Sequence, residues 1–459
     1  MTQVQENLSV VILAAGRGTR MKSQLPKVLQ PLADKPLLGH VLDLCDRLGA
    51  AQDLIVYGHG GEQVRAVFPD AALGWAEQAE QLGTGHAVQQ AMPQIADGQR
   101  VLILCGDVPL LTAETVQHLL DQTPADAVGV LTVNMEDPAG YGRIVRDDKC
   151  AVTGIVEQKD ATESERAIGE INSGVFVVPA AFLRRALESL KPQNAQGEYY
   201  LTDIVGLAVA ESIPVYGIVG SDPDEIIGIN DRVQLAEAER IFQRRVVETL
   251  MRNGVRVADP ARVDIRGNVT CGNDVFLDIN TVLIGDVSIG EGTVISPNCV
   301  ITDTSIGANT NILPNCVIEH SSIGDECNIG PFARLRPATE LHNKTKVGNF
   351  VEIKKSQIAE GSKVNHLTYV GDATVGKKVN IGAGTITCNY DGANKHQTVI
   401  GDGAFIGSGV ELVAPVEIGQ GATIGAGSTI SKPAPDDQLT LERARQRSIE
   451  GWERPVKKT

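Results

Sequence analysis

Apolar positions in the first half of the chain alternate between short continuous runs and helical stripes. Val10–Ala15 is an apolar run closed by Gly16, the pattern of a strand buried on both faces. Behind Pro36, which can occupy a first helical turn, Leu37, Val41, Leu44 and Leu48 recur at helical spacing, and Gly49 supplies the stop. Further strands are predicted at Leu54–Tyr57, Val101–Cys105 and Val128–Val133, with helices near His86–Ile95 and Ala113–Asp121. This order predicts an α/β, doubly wound, mostly parallel sheet with helices on both faces. In such sheets ligands sit beyond the carboxyl ends of the strands.

Asp231–Asn253 then reads as one long helix. Leu235, Ala238, Phe242, Val246 and Leu250 form its apolar stripe, and Asn253-Gly254 ends it. After it the rhythm changes. Aliphatic residues recur every six positions, as in Ile289, Ile295, Ile301, then Ile306, Ile312, Ile318, then Ile323, Ile329, Leu335, Leu341, Val347, Ile353. The beat returns at Ile400, Ile406, Leu412, Ile418, Ile424 and Ile430. A period of six fits neither a helix nor an alternating strand; it is the hexapeptide signature of a parallel β-helix. Three hexapeptides make one triangular coil, and five-residue steps after Ile301 and Ile318 give coils of 17 residues there. Spacing does not fix the handedness. Polar, turn-rich Thr387–Thr398 interrupts the rhythm and is expected to loop out of a coil, where repeat scaffolds carry sites. Beyond Pro433 and Pro435 lies a basic tail with Arg443, Arg445, Arg447, Arg454, Lys457 and Lys458. The expected organisation is a first domain over 1–230, a linker helix over 231–254 and a β-helix domain with its tail over 255–459.

Composition narrows the function classes. The 459 residues carry a net charge of −16, which argues against general nucleic-acid or membrane-surface binding but leaves small anionic ligands open. Aromatics are 4% against 48 glycines, so the core must be built from small aliphatic side chains. The eight cysteines form no CxxC pair, so zinc spacing is absent and free thiols in a reducing compartment are expected. No apolar run approaches the ~20 residues of a membrane span. The N-terminus makes a poor signal peptide, and a cytoplasmic protein is expected.

Leu13-Ala14-Ala15-Gly16-Arg17-Gly18-Thr19-Arg20 is a glycine-rich loop directly after the first strand. Gly16 and Gly18 let backbone N–H groups approach an anion, and Arg20 and Lys27 add positive charge for phosphates. The loop lacks both the third glycine of a dinucleotide fingerprint and the GK[ST] of a P-loop. Its full string, LxxGxGTRxxxxxPK, resembles the signature of the sugar-nucleotide pyrophosphorylases. That resemblance implies catalytic roles for Arg20 and Lys27. It implies a Mg²⁺ site at Asp107, in Cys105-Gly106-Asp107, shared with Asn230, and contacts of Leu13, Ala14, Ala15, Gly16 and Lys27 with a UTP substrate. It further places Gln78, Gly83 and Thr84 at the uracil and Gly142, Glu157 and Asn172 at the sugar. Cys105 stands where relatives usually carry Tyr, which changes the ligand-side surface.

The hexapeptide half resembles acyl-CoA-dependent transferases of the β-helix class, which implies a left-handed coil. Its most specific strings are Gly330–Pro337, Val347–Lys355, His366–Gly371 and Asn380–Ala393. An imidazole titrating near ~6.5 suits deprotonation of an attacking amine. The resemblance singles out His366 as that base, and Glu352 is expected to orient its ring. It implies a sugar-phosphate site at Arg336, Lys354, Tyr369, Asn380 and Lys395. It implies an acetyl-CoA site at Ala383, Asn389, Tyr390, Ser408, Ala426 and Arg443.

Together the two halves resemble the bifunctional N-acetylglucosamine-1-phosphate uridyltransferase/glucosamine-1-phosphate acetyltransferases over nearly the whole chain. The family would acetylate glucosamine 1-phosphate from acetyl-CoA, then transfer UMP from UTP to N-acetylglucosamine 1-phosphate. Its product, UDP-N-acetylglucosamine, feeds synthesis of peptidoglycan and lipopolysaccharide in the bacterial envelope. The resemblance also implies a homotrimer with shared acetyl sites. Two other readings share the plan: a single-activity nucleotidyltransferase with a structural β-helix, and a regulatory binding subunit.

Overall fold

The Val10–Ala15 run belongs to a strand spanning Gln5–Ala14, inside a nine-stranded sheet. It pairs in parallel with Ala50–Tyr57 on one side and Arg100–Cys105 on the other. Val11, Leu54, Val101 and Ile103 face one apolar cluster, while Val10, Ile12, Ile55, Leu102 and Leu104 face a second. Both faces are buried, so the strands read as continuously apolar rather than alternating. Helices Leu37–Leu48 and Ala113–Gln122 cover one face; Thr84–Ala91, Ala180–Ser189 and Asp203–Ala210 cover the other. Gly49 closes the first of these helices at φ +63°, and Pro36 stands one position before it rather than inside its first turn. The sheet is not wholly parallel. Glu170–Pro179 runs antiparallel between Arg100–Cys105 and Val128–Asn134. Its Val175–Val178 core has the composition of the parallel strands, so its direction is not written locally.

This chain, described here by a computed structural model over residues 5–70 and 72–457, consists of two compact units, Met1–Phe242 and Gln243–Thr459. Lys458 of the basic tail lies outside the described residues. The expected long helix spans Arg232–Arg252, and the division between units falls inside it. Its first part belongs to the first unit: Leu235, Ala238, Ile241 and Phe242 pack with Leu32, Leu37 and Leu110. The Ala33 N–H also donates to Glu239 at 2.8 Å. The first unit thus continues through Phe242 instead of stopping at residue 230.

In the second unit the hexapeptide aliphatics stack into one column core, each no more than 4% exposed. An 11-stranded parallel sheet forms one face of the coil and a 17-stranded sheet wraps the other two. Ile301 lies over Ile318 and Ile318 over Leu335, the 17-residue coils that the five-residue steps require. Buried hydroxyls tie coil to coil at one corner. Thr293 Oγ1 donates to Gly307 C=O at 2.8 Å and accepts from Thr310 N–H at 3.0 Å, and Thr310 repeats the pattern one coil on. At the first coil Gln243 takes the place of a neighbouring strand. Its amide donates to Ile265 C=O at 2.9 Å and accepts from Ile265 N–H at 2.7 Å. Among the described residues no helix is long and apolar enough to cross a membrane, and all eight cysteines are free.

Candidate active sites

At the carboxyl end of the central strand the register sets Leu13 beside Cys105 and Ala14 beside Tyr57. The Gly106 N–H donates to Leu13 C=O at 2.9 Å, so the glycine-rich loop and Asp107 are held side by side. Gly18 turns the loop at φ +59°, and a Cβ there would lie 2.7 Å from Lys27 Cβ, a clash. That close approach delivers the Lys27 ammonium to Asp107 Oδ2, and Asn230 Oδ1 accepts from it at 3.2 Å. Two oxygen donors from distant segments thus converge on one cation in a half-buried position. Oxygen donors with one carboxylate suit a hard divalent ion such as Mg²⁺. Arg20 is exposed at the mouth of the loop, and Gly16 has open space around its Cα. The Cys105 thiol is pushed up to about 12, first by burial and then by Asp107. At neutral pH it is an uncharged wall, with its Sγ against Gly174.

The residues expected at the base and sugar form two small constellations. Gln78 is buried and donates to Gly83 C=O at 3.0 Å, with a second contact to His86 Nδ1 at 3.1 Å. Thr84 Oγ1 accepts from Leu201 N–H at 3.1 Å. These bonds shape the turn into the Thr84–Ala91 helix. Gly142, Glu157 and Asn172 are neighbours: Asn172 N–H donates to Gly142 C=O at 2.9 Å, and a Cβ on Gly142 would lie 3.4 Å from Glu157 Oε2. Burial raises the Glu157 carboxyl above the usual range, partly offset by the Thr202 hydroxyl donating to it at 3.0 Å.

In the β-helix, His366 ends the Lys363–His366 strand and is exposed. The structure corrects its expected partner. Glu352 accepts from Arg336 Nη1 at 2.8 Å instead, and His366 Nδ1 donates to Asn349 Oδ1 at 2.8 Å. The Asn349 carbonyl side chain fixes the hydrogen on Nδ1 and leaves the Nε2 lone pair outward. Successive coils align Asn349, His366, Ala383, Ser408 and Ala426 along one edge. Leu367 N–H donates to Asn349 C=O, Gly384 N–H to His366 C=O, Gly409 N–H to Ala383 C=O and Gly427 N–H to Ser408 C=O, at 2.7–3.1 Å. Arg443 continues the line, its Cδ 3.9 Å from a Cβ built on Gly427.

Arg336, Lys354 and Lys395 gather at another edge. Lys354 lies below the ordinary lysine range, first because of Lys395 beside it and then because of Arg336. Arg336 is raised by its bond to Glu352. Three cations held this close suit a phosphate, whose charge relieves their repulsion. Tyr369 stands beside this group, its hydroxyl 3.5 Å from Asn389 Nδ2. Asn380 does not join them; it lies in the 11-stranded sheet, in register with Lys363 and Phe405. Asn389 anchors the insert, donating to Asp372 Oδ2 at 2.6 Å, while Tyr390 is exposed at 61%. Thr387 and Thr398 are buried in strands, so the loop proper starts at Asn389.

Sequence reasoning missed Asn349 and Arg17. Asn349 precedes His366 by 17 residues, one coil, so the repeat length alone could have flagged it. Arg17 Nε donates to Gln81 Oε1 at 2.8 Å, joining the glycine-rich loop to the Gln78–Gly85 string; no spacing signals that contact.

These sites define a class: a nucleotidyltransferase unit followed by a hexapeptide-repeat transferase unit. A MobA-like NTP transferase domain is matched over residues 10–201, and bacterial transferase hexapeptide repeats over 268–303, 303–337 and 397–432. The chain is 55% identical over 450 residues to the bifunctional protein GlmU of Azoarcus sp. (strain BH72), covering 98% of this chain and all of that one. It is 54% identical to the GlmU of Janthinobacterium sp. (strain Marseille), covering 98% of this chain and 99% of that one. The chain belongs to the bifunctional GlmU family. It is an enzyme with two transferase activities, nucleotidyl and acyl transfer, one for each unit.

Proposed function

We propose that the chain acetylates glucosamine 1-phosphate from acetyl-CoA and then transfers UMP from UTP to N-acetylglucosamine 1-phosphate, in the cytoplasm. The observation that carries the second reaction is the convergence of Lys27, Asp107 and Asn230 beside the glycine-rich loop. The sugar phosphate oxygen attacks the α-phosphorus in line; a P–O bond forms and the bond to pyrophosphate breaks. Lys27 and Arg20 offset the charge of the phosphates. Gly142, Glu157 and Asn172 hold the sugar, and Gln78, Gly83 and Thr84 shape the floor for uracil. Asp107 and Asn230 would hold Mg²⁺, which when bound supplies charge neutralisation for the phosphates.

For acetyl transfer, His366 Nε2 takes a proton from the amine of glucosamine 1-phosphate as its nitrogen bonds to the acetyl carbonyl carbon. The C–S bond then breaks and CoA leaves as the thiolate. Arg336, Lys354 and Lys395 suit the sugar phosphate. Ala383, Ser408, Ala426 and Arg443, aligned with His366, suit the CoA arm. The phosphate group and the His366 edge belong to different parts of one coil, and Asn380 sits apart from both. A homotrimer, in which a neighbouring copy completes each acetyl site, accounts for that separation. The proposed division of labour is uridylyl transfer in 1–230 with part of the 231–254 helix, and acetyl transfer in 255–459. The test is one incubation with acetyl-CoA, glucosamine 1-phosphate, UTP and Mg²⁺. Release of both free CoA and pyrophosphate is expected; pyrophosphate alone from supplied N-acetylglucosamine 1-phosphate would leave a single-activity enzyme.

A further inference from the structure

One edge of the β-helix holds a left-handed residue in each successive coil, and the residue types there change in three blocks. The first three are Asn280, Asn298 and Asn315, at φ +59° to +62°. Asparagine tolerates this conformation, and the three side chains form a ladder, Asn280 Nδ2 to Asn298 Oδ1 at 2.8 Å and Asn298 Nδ2 to Asn315 Oδ1 at 3.2 Å. The next three are Phe332, Phe350 and Leu367, at φ +55°, +57° and +49°. Bulky apolar residues rarely adopt it. They are also 49%, 55% and 64% exposed, with the two phenyl rings stacked at 5.3 Å. The last three are Gly384, Gly409 and Gly427.

Packing within the chain does not require these glycines. A Cβ on Gly409 would meet nothing within 4 Å, and on Gly384 or Gly427 nothing nearer than 3.8 Å or 3.9 Å. Asparagine satisfies the same backbone earlier on the edge. Glycine therefore leaves a bare track on the outside of the coil. At roughly 4.8 Å per coil, three coils give a track about 14 Å long, the length of a slender extended chain. The track ends at Leu367, directly after His366, with the Phe350–Phe332 stack beyond. Strained, exposed apolar groups beside a candidate base mark a functional constraint.

On the acyl-CoA reading of this edge the thioester arm of the donor lies along the glycine track, and we propose that Leu367, backed by Phe350 and Phe332, is the wall that restricts the donor to short acyl groups. The wall rests on that reading. The arm runs along Gly427, Gly409 and Gly384 and brings its carbonyl to His366. A two-carbon acyl group fits before the wall and a longer one meets Leu367.

Leu367→Asn keeps a residue native to this backbone and lowers the wall. The readout is kcat/KM for acetyl-, propionyl- and butyryl-CoA with glucosamine 1-phosphate. The butyryl-to-acetyl ratio is expected to rise at least tenfold, with the melting temperature and uridylyl transfer unchanged. Gly409→Asn puts a side chain on the track without backbone strain, and should raise KM for acetyl-CoA about tenfold at an unchanged melting temperature. An unchanged ratio in a Leu367→Asn protein that still transfers acetyl overturns the wall. So does equal loss of all three donors together with loss of self-association, which makes Leu367 an interface residue. An unchanged KM in Gly409→Asn overturns the track, and still reads if Leu367→Asn fails to fold. Wild-type protein that transfers no acetyl group overturns the underlying acyltransferase reading and the wall with it; wild-type transfer with an unchanged ratio overturns the wall alone.

Discussion

The roles proposed for Asp107 and His366 fall one in each unit, so their removal should separate the two reactions. Asp107→Ala takes away the carboxylate of a two-oxygen site. Uridylyl transfer should fall by at least about 10²-fold, since a bound metal is worth several kcal/mol of transition-state stabilisation, while acetyl transfer stays near wild type. Chelation of the wild type with EDTA should copy this. Pyrophosphate and CoA release measured on one preparation decide it; equal loss of both in a folded variant would make Asp107 structural. His366→Ala should reverse the pattern and cost acetyl turnover about 10²–10⁴-fold. Asn349→Ala should cost about tenfold, the scale of one charged hydrogen bond, because Asn349 acts only through the ring it orients. Its signature is a changed pH profile of acetyl kcat with KM for acetyl-CoA little altered. A profile identical to wild type would remove Asn349 from the site.

Strand Ala50–Tyr57 carries a strain that none of the transfer chemistry uses. Asp53 Oδ1 is buried with no hydrogen-bond partner among the described residues. Burial first, and Asp46 second, raise its carboxyl from 3.8 to about 6. A raised folded value means that the fold favours the protonated form. Its contribution is present below the ordinary value and is lost as pH rises through about 6. Asp53→Asn keeps the shape without the charge. Melting at pH 8 should rise by the equivalent of about 1–2 kcal/mol after allowance for solvent screening, and the gain should vanish at pH 4. An equal gain at both pH values would show that charge is not its source. Period and punctuation made the elements legible in the sequence: Gly49 at a helix end, and aliphatics every six residues in the coils. What depends on pairing was not legible. The antiparallel direction of Glu170–Pro179 is set by its neighbours, and the ring partner of His366 by stacking of coils. The long, specific loop string pointed to Lys27, Asp107 and Asn230, and the structure brings these three together. The Arg17–Gln81 bond, across 64 residues of sequence, was not legible.

The two units have separate cores, and the motifs of the first site all precede Asp231. A fragment ending at Arg252 should therefore fold and keep uridylyl transfer. One ending at residue 230 loses Leu235, Ala238 and Phe242 from the cluster around Leu32 and Leu37, and should melt at a lower temperature. A soluble, folded 1–252 fragment that releases no pyrophosphate would count against the assignment of the first site. The β-helix raises a different matter at this scale. Each of its coils is a template for the next, and a stack of parallel strands has no inherent last member. Gln243 presents, as a side chain, the donor and acceptor that another strand would have offered to Ile265. A single amide thus occupies a docking point from which copies of this chain could otherwise elongate end to end into fibres, and helps keep a ladder-built protein a discrete particle.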